Sequence, residues 1–262
     1  MKKIINGFSI AKEILFNIKC KIIFLKKNKI NPYLVTLLIG MNTSSTIYVK
    51  SKIKIAISIG IKTKLFVISE NINNVKIVSL IKKINKKNIY TGILIQFPLP
   101  THIDKSTIFS LIHYKKDVDG FTYYNMGLLI HNNNNILPCT AQGIIYLLTK
   151  YFGNYIQSKK IIIIGRSLIV GKPLLLGLIN LNCTVTLIHS FTNYFLKEIN
   201  ISDIIISSVG ISNLIKNKYI KKGSFIIDVG INKINKHRRN MGDRGKNMKM
   251  GNRNMIYGGM GI

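Results

Sequence analysis

Small residues follow directly on an apolar run in the middle of the chain, in an arrangement suited to holding phosphate. The run KKIIII, residues 159–164, leads into Gly165, Ser167 and Gly171. A glycine at a strand end, a small residue two positions on and a second glycine at the start of a helix let the backbone approach a pyrophosphate, whose charge a helix N-terminus favours. These residues predict the phosphate-binding turn of a dinucleotide site.

The next apolar run ends in His189-Ser190, and this ending bears on the kind of dinucleotide. A ribose with a free 2′-hydroxyl usually meets Asp or Glu here, whereas such a carboxylate would repel a 2′-phosphate. The chain has no carboxylate at this point, and Arg166 and Ser190 could hold a 2′-phosphate, so the sequence favours NADP over NAD. His189 either contributes to this site or is a strand-end histidine without a catalytic role.

A second set of reactive side chains lies in the first half of the chain. Tyr48 and Lys52 are four residues apart, after a helix-starting segment that begins at Asn42, so both are expected on one helix face. They either serve one ligand or are a solvated lysine beside a half-buried tyrosine. Gln96 ends the apolar run that begins at Gly92, and an amide at the carboxyl edge of a parallel strand lies where open α/β sheets bind ligands.

Acidic residues are rare, because the 262 residues include 39 Lys and Arg but only 9 Asp and Glu, for a formal net charge of +30. Two of the nine, Asp117 and Asp119, stand together in the segment KDVDGF. Clustered cations bind nucleic-acid phosphates. Here the lysines are dispersed and RNA-binding signature motifs are absent, so we expect solvated basic faces and no nucleic-acid partner.

Short apolar runs alternate with longer amphipathic stretches, which is typical of parallel sheets covered by helices. This α/β pattern predicts seven strands, over residues 34–39, 64–68, 92–96, 160–164, 184–188, 203–207 and 225–229. It predicts helices near the start of the chain and over about 45–59, 74–86, 140–151 and 170–181. The spacing widens between the third and fourth strands, so we expect a domain boundary near residue 120, with domains at 1–120 and 121–262. Residues 236–255 read as a basic, irregular tail.

The cysteines and apolar stretches bear on the cellular compartment. Cys20, Cys139 and Cys183 are odd in number and share no CxxC spacing, which argues against a disulfide framework and a zinc site and indicates a reducing compartment. No stretch approaches about 18 uninterrupted apolar residues, and the first residues lack the apolar core of a secretion signal. We therefore expect a soluble cytoplasmic protein without a metal ion or a membrane partner.

Six motifs, in this order and at these separations, resemble the bifunctional methylenetetrahydrofolate dehydrogenase/methenyltetrahydrofolate cyclohydrolase family. They are STIYVKSK, TGILIQFPLP, KDVDGFTYYNMG, LPCTAQG, IIIIGRSLIVGKP and FIIDVGIN. The resemblance extends over about residues 4 to 232. It implies an N-terminal catalytic domain that binds folate, followed by a Rossmann-like NADP-binding domain, with the folate in the cleft between them.

The resemblance also implies roles for individual residues. It makes Lys52 the catalytic lysine, with Tyr48, Gln96 and Asp119 as the family's tyrosine, glutamine and pterin-binding aspartate. We expect Lys52 to act as general acid/base in the hydrolysis and Gln96 to orient it. The cofactor-binding residues expected are Gly165, Arg166, Ser167, Val170, Gly171, His189, Ser190, Gly210 and Ile231. The family usually dimerises through its Rossmann domains, so a homodimer is expected.

The chain departs from the family pattern at three places, one of which is Ser212, where proline is common in the family. The residue after His189-Ser190 is often Lys or Arg in the family and is Phe191 here. The family typically continues past a glycine-rich segment into a terminal helix, whereas here the glycines of residues 256–262 end the sequence, which is expected to weaken packing between domains. Three alternatives therefore stay open: a dehydrogenase without cyclohydrolase activity, a non-catalytic remnant, and a basic nucleic-acid-binding module.

Overall fold

The computed structural model describes residues 4–133 and 136–230. It divides the chain into two compact units, one spanning Phe8–Cys139 and one beginning at Thr140. The expected basic tail, the glycines of residues 256–262 and Ile231 lie outside the described residues. Within them, no helix is both long and apolar enough to cross a membrane.

A three-stranded parallel sheet lies at the centre of the first unit, in the order β2-β1-β3. Along the chain its elements are α1 (Gly7–Lys27), β1 (Tyr33–Ile39), α2 (Thr43–Ser58), β2 (Lys62–Ile68), α3 (Asn74–Lys86), β3 (Gly92–Ile95), α4 (Lys105–Leu111) and α5 (Tyr123–Ile130). All four residues of β3 are buried, as are the last five of β1. On α3, Ile77, Ile81 and Ile84 lie on one helical stripe and pack against these strands.

The second unit contains a four-stranded parallel sheet in the order β5-β4-β6-β7. Its elements are α6 (Cys139–Phe152), β4 (Lys160–Ile164), α7 (Gly171–Ile179), β5 (Thr184–Ile188), α8 (Phe195–Ile201), β6 (Ile204–Ser207) and β7 (Phe225–Asp228). The isoleucines of β4 and β6 are almost fully buried because helices cover the sheet. The α/β class and the Rossmann-like second unit are therefore confirmed.

All seven predicted strands are present, and their ends differ from the prediction by at most two residues. Three helices were missed: α4, α5 and α8, which have seven or eight residues each. Helices of about two turns show too little apolar periodicity to be read from sequence. Their capping residues were the available signal, since the side chains of Asp104 and Thr122 accept hydrogen bonds from the first turns of α4 and α5.

The two units divide at Cys139, whereas the sequence places the boundary near residue 120. The difference comes from α5, which is tied to the first unit by the buried carboxylate of Asp117. The backbone N–H of Thr122 donates to Asp117 Oδ2 at 2.8 Å, and Asn125 Nδ2 donates to the same oxygen at 2.9 Å. The ring of Tyr124 packs on that of Tyr114, with 4.2 Å between centroids.

Candidate functional site

Helix α2 carries the aromatic ring and the amine of the first site. It begins shortly after β1, where the side chain of Asn42 accepts the backbone N–H groups of Ser44 at 3.0 Å and Ser45 at 3.4 Å. This cap fixes where the helix starts and therefore which face each later residue occupies. Tyr48 and Lys52 lie one turn apart, with Lys52 Nζ 4.5 Å from the centre of the Tyr48 ring.

Asp119 is held in place by a hydrogen-bonded loop around its neighbour Asp117. Asp117 is 2% exposed, forms a parallel bridge with Ile93 of β3, and accepts the N–H of Gly120 at 2.9 Å. Gly120 has a φ of +71°, and a Cβ there would overlap the carbonyl oxygen of Ile136. The loop therefore passes beside β3 in one conformation, which brings Asp119 to the carboxyl end of the sheet.

Cys139 is a member of the site that the sequence did not identify. Its thiol donates to Asp119 Oδ1 at 3.5 Å, although 20 residues separate the two along the chain. The signal was the motif LPCTAQG, which carries this cysteine but does not show what the thiol contacts. Tyr48, Lys52, Asp119 and Cys139 all belong to the first unit, and we name them the catalytic cluster after the roles expected of the first three.

Burial and mutual interaction alter the acid–base properties of this cluster. Burial raises the pKa of Asp119, and the charge of Lys52 and the Cys139 hydrogen bond offset this only in part. Burial raises the pKa of the Cys139 thiol to about 11, with a further contribution from Asp119. The pKa of Tyr48 is raised by burial and then by Cys139 and Asp119. Each of these acids is thus biased toward its neutral form.

Gln96 lies at the same edge of the sheet but is not hydrogen-bonded to the catalytic cluster within the described residues. Its backbone N–H donates to Leu37 O at 2.9 Å, which extends the β1–β3 pairing by one residue. Its side-chain Nε2 donates to the carbonyl oxygen of Phe97 at 2.7 Å. Gln96 is 8% exposed, and its Oε1 is buried without a partner in the described part of the chain. An unpaired buried acceptor is costly, so a ligand or side-chain donor at this atom would be stabilising.

Together these residues can bind a flat, hydrogen-bonding ligand and move a proton. Tyr48 offers an aromatic face, Asp119 a carboxyl group with restricted access to water, and Lys52 an amine beside both. The rings of Phe97, Phe109 and Phe121 pack on one another at centroid distances of 5.6 to 5.8 Å beneath the loop that carries Asp119. Within the described residues, no group of three or more His, Cys, Asp and Glu side chains could hold a metal ion.

The phosphate-binding turn of the second unit connects β4 to α7. Gly165 has a φ of +116°, and a Cβ there would lie 2.5 Å from Ser208 Oγ. At Gly171, the first residue of α7, a Cβ would overlap the carbonyl oxygen of Gly165. At Gly165 and Gly171 the turn therefore leaves no room for a side chain. This close packing of the backbone fits a binding site for pyrophosphate.

Ser167 caps the helix that follows this turn. Its hydroxyl oxygen accepts the N–H of Val170 at 3.1 Å and that of Gly171 at 3.4 Å. Val170 occupies the N-cap position, but its side chain cannot accept a hydrogen bond. The Ser167 hydroxyl supplies the capping acceptor instead. The small residue at this position therefore contributes a polar atom as well as space.

His189 closes a tight turn at the carboxyl end of β5. The N–H of Thr192 donates to His189 O at 2.8 Å, and His189 N–H donates to Thr192 Oγ1 at 3.0 Å. Ser190 and Phe191 occupy the two central positions, both exposed. Arg166, from the phosphate-binding turn, lies with its Cζ 5.5 Å from the centre of the Phe191 ring.

Gly210 lies beyond β6, next to a close backbone crossing. The crossing involves Gly230, which sequence reasoning did not single out: a Cβ there would overlap the carbonyl oxygen of Val209. The N–H of Gly230 also donates to Asp228 Oδ1 at 2.9 Å. The segments after β6 and β7 therefore lie side by side at the carboxyl edge of the sheet, where open α/β sheets bind ligands.

Two family models match the chain. The catalytic domain of tetrahydrofolate dehydrogenase/cyclohydrolase matches residues 5–119, and the NAD(P)-binding domain of the same family matches residues 138–255. The first range contains Tyr48, Lys52, Gln96 and Asp119, and the second begins one residue before Cys139.

Curated relatives and solved structures agree with these models. The "Bifunctional protein FolD" of Acetivibrio thermocellus is 39% identical over 232 residues, which cover 88% of this chain and 81% of that protein. The crystal structure of the FolD methylenetetrahydrofolate dehydrogenase/cyclohydrolase from Campylobacter jejuni matches with a TM-score of 0.87 and 36% identity, over 89% of this chain and 83% of the other. The Trypanosoma brucei enzyme, solved with NADP and an inhibitor, matches with a TM-score of 0.85 and 30% identity, over 91% and 82%.

Proposed function

Because the chain belongs to the tetrahydrofolate dehydrogenase/cyclohydrolase family, we propose that it oxidises 5,10-methylenetetrahydrofolate with NADP and hydrolyses the product to 10-formyltetrahydrofolate. The observation that carries this proposal is the catalytic cluster itself. A ring, an amine and a carboxyl group converge within the unit that matches the family's catalytic domain. The unit that matches the NAD(P)-binding domain supplies the glycine turn.

Asp119 and Tyr48 bind the substrate in this proposal. The pterin presents an amino group and a ring N–H side by side, and a carboxylate accepts such a pair through its two oxygens. Asp119 is poorly solvated, so it gains more from these donors than an exposed carboxylate would. The half-buried ring of Tyr48 provides a face on which the flat parts of folate stack.

In the dehydrogenase step the protein chiefly orients the substrate. Bound NADP supplies the hydride acceptor, and the product is the 5,10-methenyl cation. The backbone at Gly165 and Gly171 would hold the pyrophosphate, and Arg166 and Ser190, at the ends of β4 and β5, would hold the 2′-phosphate.

In the hydrolytic step Lys52 is the residue that transfers protons. A water oxygen bonds to the bridging carbon of the methenyl cation, the bond from that carbon to N5 breaks, and N5 receives a proton. The water loses two protons as its oxygen becomes the formyl oxygen: the amine of Lys52 accepts one and passes it to N5, and the other leaves to solvent. Gln96 Oε1, which has no partner among residues 4–133 and 136–230, can accept a hydrogen bond from the amine without adding charge.

Replacing Lys52 by Met tests the assignment. We expect Lys52→Met to abolish hydrolysis, so that the methenyl compound accumulates and its near-ultraviolet absorption persists. The matched control is Lys54→Met, an exposed lysine on the same helix, which should leave both steps unchanged. Full cyclohydrolase activity in Lys52→Met would overturn the role of Lys52, and wild-type protein that reduces no NADP with the methylene substrate would overturn the proposed function.

We also propose that the enzyme is a homodimer in the cytoplasm. The family resemblance supports the dimer, and the compartment is supported by three cysteines that are all free. Light scattering is expected to give about twice the chain mass of 29.7 kDa. A mass of one chain at micromolar concentration would contradict the dimer.

A further inference from the structure

An exposed aromatic ring stands where the Rossmann-like unit is expected to bind the adenine end of its cofactor. Phe191 is 78% exposed, yet its backbone is firmly fixed. Its N–H donates to His189 Nδ1 at 3.2 Å, inside the turn that the Thr192 bonds close. A large apolar side chain held in water by a rigid turn contributes nothing to the core.

The ring contacts a cation on the neighbouring turn. Strands β4 and β5 pair in parallel, and Gly165 N–H donates to Ile188 O at 2.8 Å, so the turns after the two strands lie side by side. Arg166 on the first turn lies over the Phe191 ring on the second. Such a contact restricts a long side chain that would otherwise sample many rotamers.

A guanidinium packed on a ring keeps its hydrogen-bonding edge. The attraction to the ring engages the flat face of the group, while its N–H donors point outward in the plane and remain able to bind phosphate oxygens in pairs. Ser190, the other central residue of the β5 turn, is exposed beside the ring. The three side chains thus form one surface at the position that receives the ribose next to the adenine.

We propose that Phe191 is a positioning residue for recognition of the 2′-phosphate, acting through Arg166. The family often has Lys or Arg at this position. Here the Phe191 ring instead restricts Arg166 to a conformation that can bind the 2′-phosphate. This inference rests on the proposed use of NADP and adds to it a residue that determines specificity. A ring that instead stacked on the adenine would strengthen binding with or without the 2′-phosphate.

Calorimetric binding of 2′,5′-ADP and of 5′-AMP separates these two roles without any turnover. We expect Phe191→Ala to weaken 2′,5′-ADP by about two- to fivefold, the range of an exposed cation–π contact, and to leave 5′-AMP unchanged. Phe191→Tyr, which keeps the ring, should bind as the wild type does. The control is Tyr194→Asn, another exposed ring nearby, whose left-handed backbone asparagine tolerates.

A double-mutant cycle tests whether the effect passes through Arg166. In an Arg166→Ala background, Phe191→Ala should cause no further loss of 2′,5′-ADP affinity. Equal losses with and without Arg166, or equal weakening of both nucleotides, would overturn the proposal. Wild-type protein that does not prefer 2′,5′-ADP to 5′-AMP would also overturn it, whereas the folate reaction is judged separately by turnover with each nicotinamide cofactor.

Discussion

At the residue scale, Asp119 combines a cost in stability with a gain in binding. Burial removes its carboxyl group from water, which disfavours the charged form. The charge of Lys52 and the hydrogen bond from Cys139 offset this cost only in part. In the proposed function, a substrate with two adjacent N–H donors completes the hydrogen bonding of this carboxyl group. The residue therefore suits the liganded state better than the free protein, which is common where function and stability conflict.

Replacing Asp119 by Asn should stabilise the protein and weaken folate binding. Burial raises the pKa of Asp119, so the folded state loses stability as the pH rises from the unfolded pKa of about 4 through the folded pKa. The variant lacks this loss, so at pH 7 we expect a free energy of unfolding about 1 kcal/mol higher, measured by urea denaturation. The advantage should disappear toward pH 4.

The control for this experiment is Asp104, whose pKa is shifted in the opposite direction. Hydrogen bonds from the Thr107 side chain and from the backbone N–H groups of Ser106 and Thr107 lower the pKa of Asp104. It stabilises the fold above its unfolded pKa, and that contribution is lost as the pH falls through the folded value. Asp104→Asn should therefore destabilise at pH 7, and a gain in both variants would show that the gain at Asp119 does not come from its raised pKa.

Cys139 should react slowly with thiol reagents at neutral pH. Only the thiolate reacts, and a pKa of about 11 leaves little of it. Cys139 and Cys20 are both exposed, so because of its raised pKa we expect iodoacetamide at pH 8 to label Cys139 about tenfold or more slowly than Cys20, as measured by peptide mass spectrometry. Labelling of Cys139 as fast as Cys20 would contradict a thiol kept neutral by its contact with Asp119.

At the scale of elements, both sites depend on turns that glycine makes possible. The β4–α7 turn brings the first residue of α7 against Gly165, and the loop around Asp117 brings Gly120 against Ile136. In each case the close approach puts a functional group at the carboxyl edge of a parallel sheet. The helices and strands supply rigidity, and these glycines determine where the binding atoms lie.

Gly171→Ala should weaken nucleotide binding because the added Cβ overlaps the Gly165 carbonyl. We expect a loss of roughly 1 to 3 kcal/mol in stability, since backbone must move, and a marked loss of 2′,5′-ADP affinity. The matched control is Gly127→Ala in α5, where a Cβ meets nothing within 4 Å and alanine should stabilise the helix by about 0.5 to 1 kcal/mol. Thermal unfolding and calorimetry of the two variants test both expectations.

At the scale of the whole molecule, the net charge of +30 acts on all parts of the chain at once. The ion pair between Lys221 and Asp203, at 2.8 Å, uses one of few available carboxylates, and most lysines have no acidic residue to meet. Repulsion among these like charges destabilises the compact state. The positive potential that they create attracts anionic ligands such as NADP.

Added salt should therefore stabilise the protein and weaken its substrate binding. Raising NaCl from about 20 to 200 mM shortens the screening length to below 10 Å, so we expect the melting temperature to rise and the KM for NADP to increase. The same salt step should abolish weak, sequence-independent RNA binding. A preferred RNA sequence whose affinity survives 200 mM salt would contradict the view that this charge is a solvated background.

The sequence by itself determined the fold class, the seven strands and most of the candidate residues. The positions of β3, β4 and β6 follow from uninterrupted apolar runs, which a sheet covered on both faces buries, and the glycine turn follows from its place after the run of β4. The order of six motifs was enough to indicate the family, because motif order and spacing survive a strongly biased composition.

Tertiary structure alone decided which side chains meet. The contact between Cys139 and Asp119, the packing of Arg166 on Phe191 and the attachment of α5 to the first unit all join residues that are distant along the chain or lie on different strands. Periodicity shows which way a side chain faces within its own helix or strand. It contains no information on which residues of other elements that side chain contacts. That depends on the register of parallel strands and on the turns that follow them, and these are fixed only when the sheet assembles.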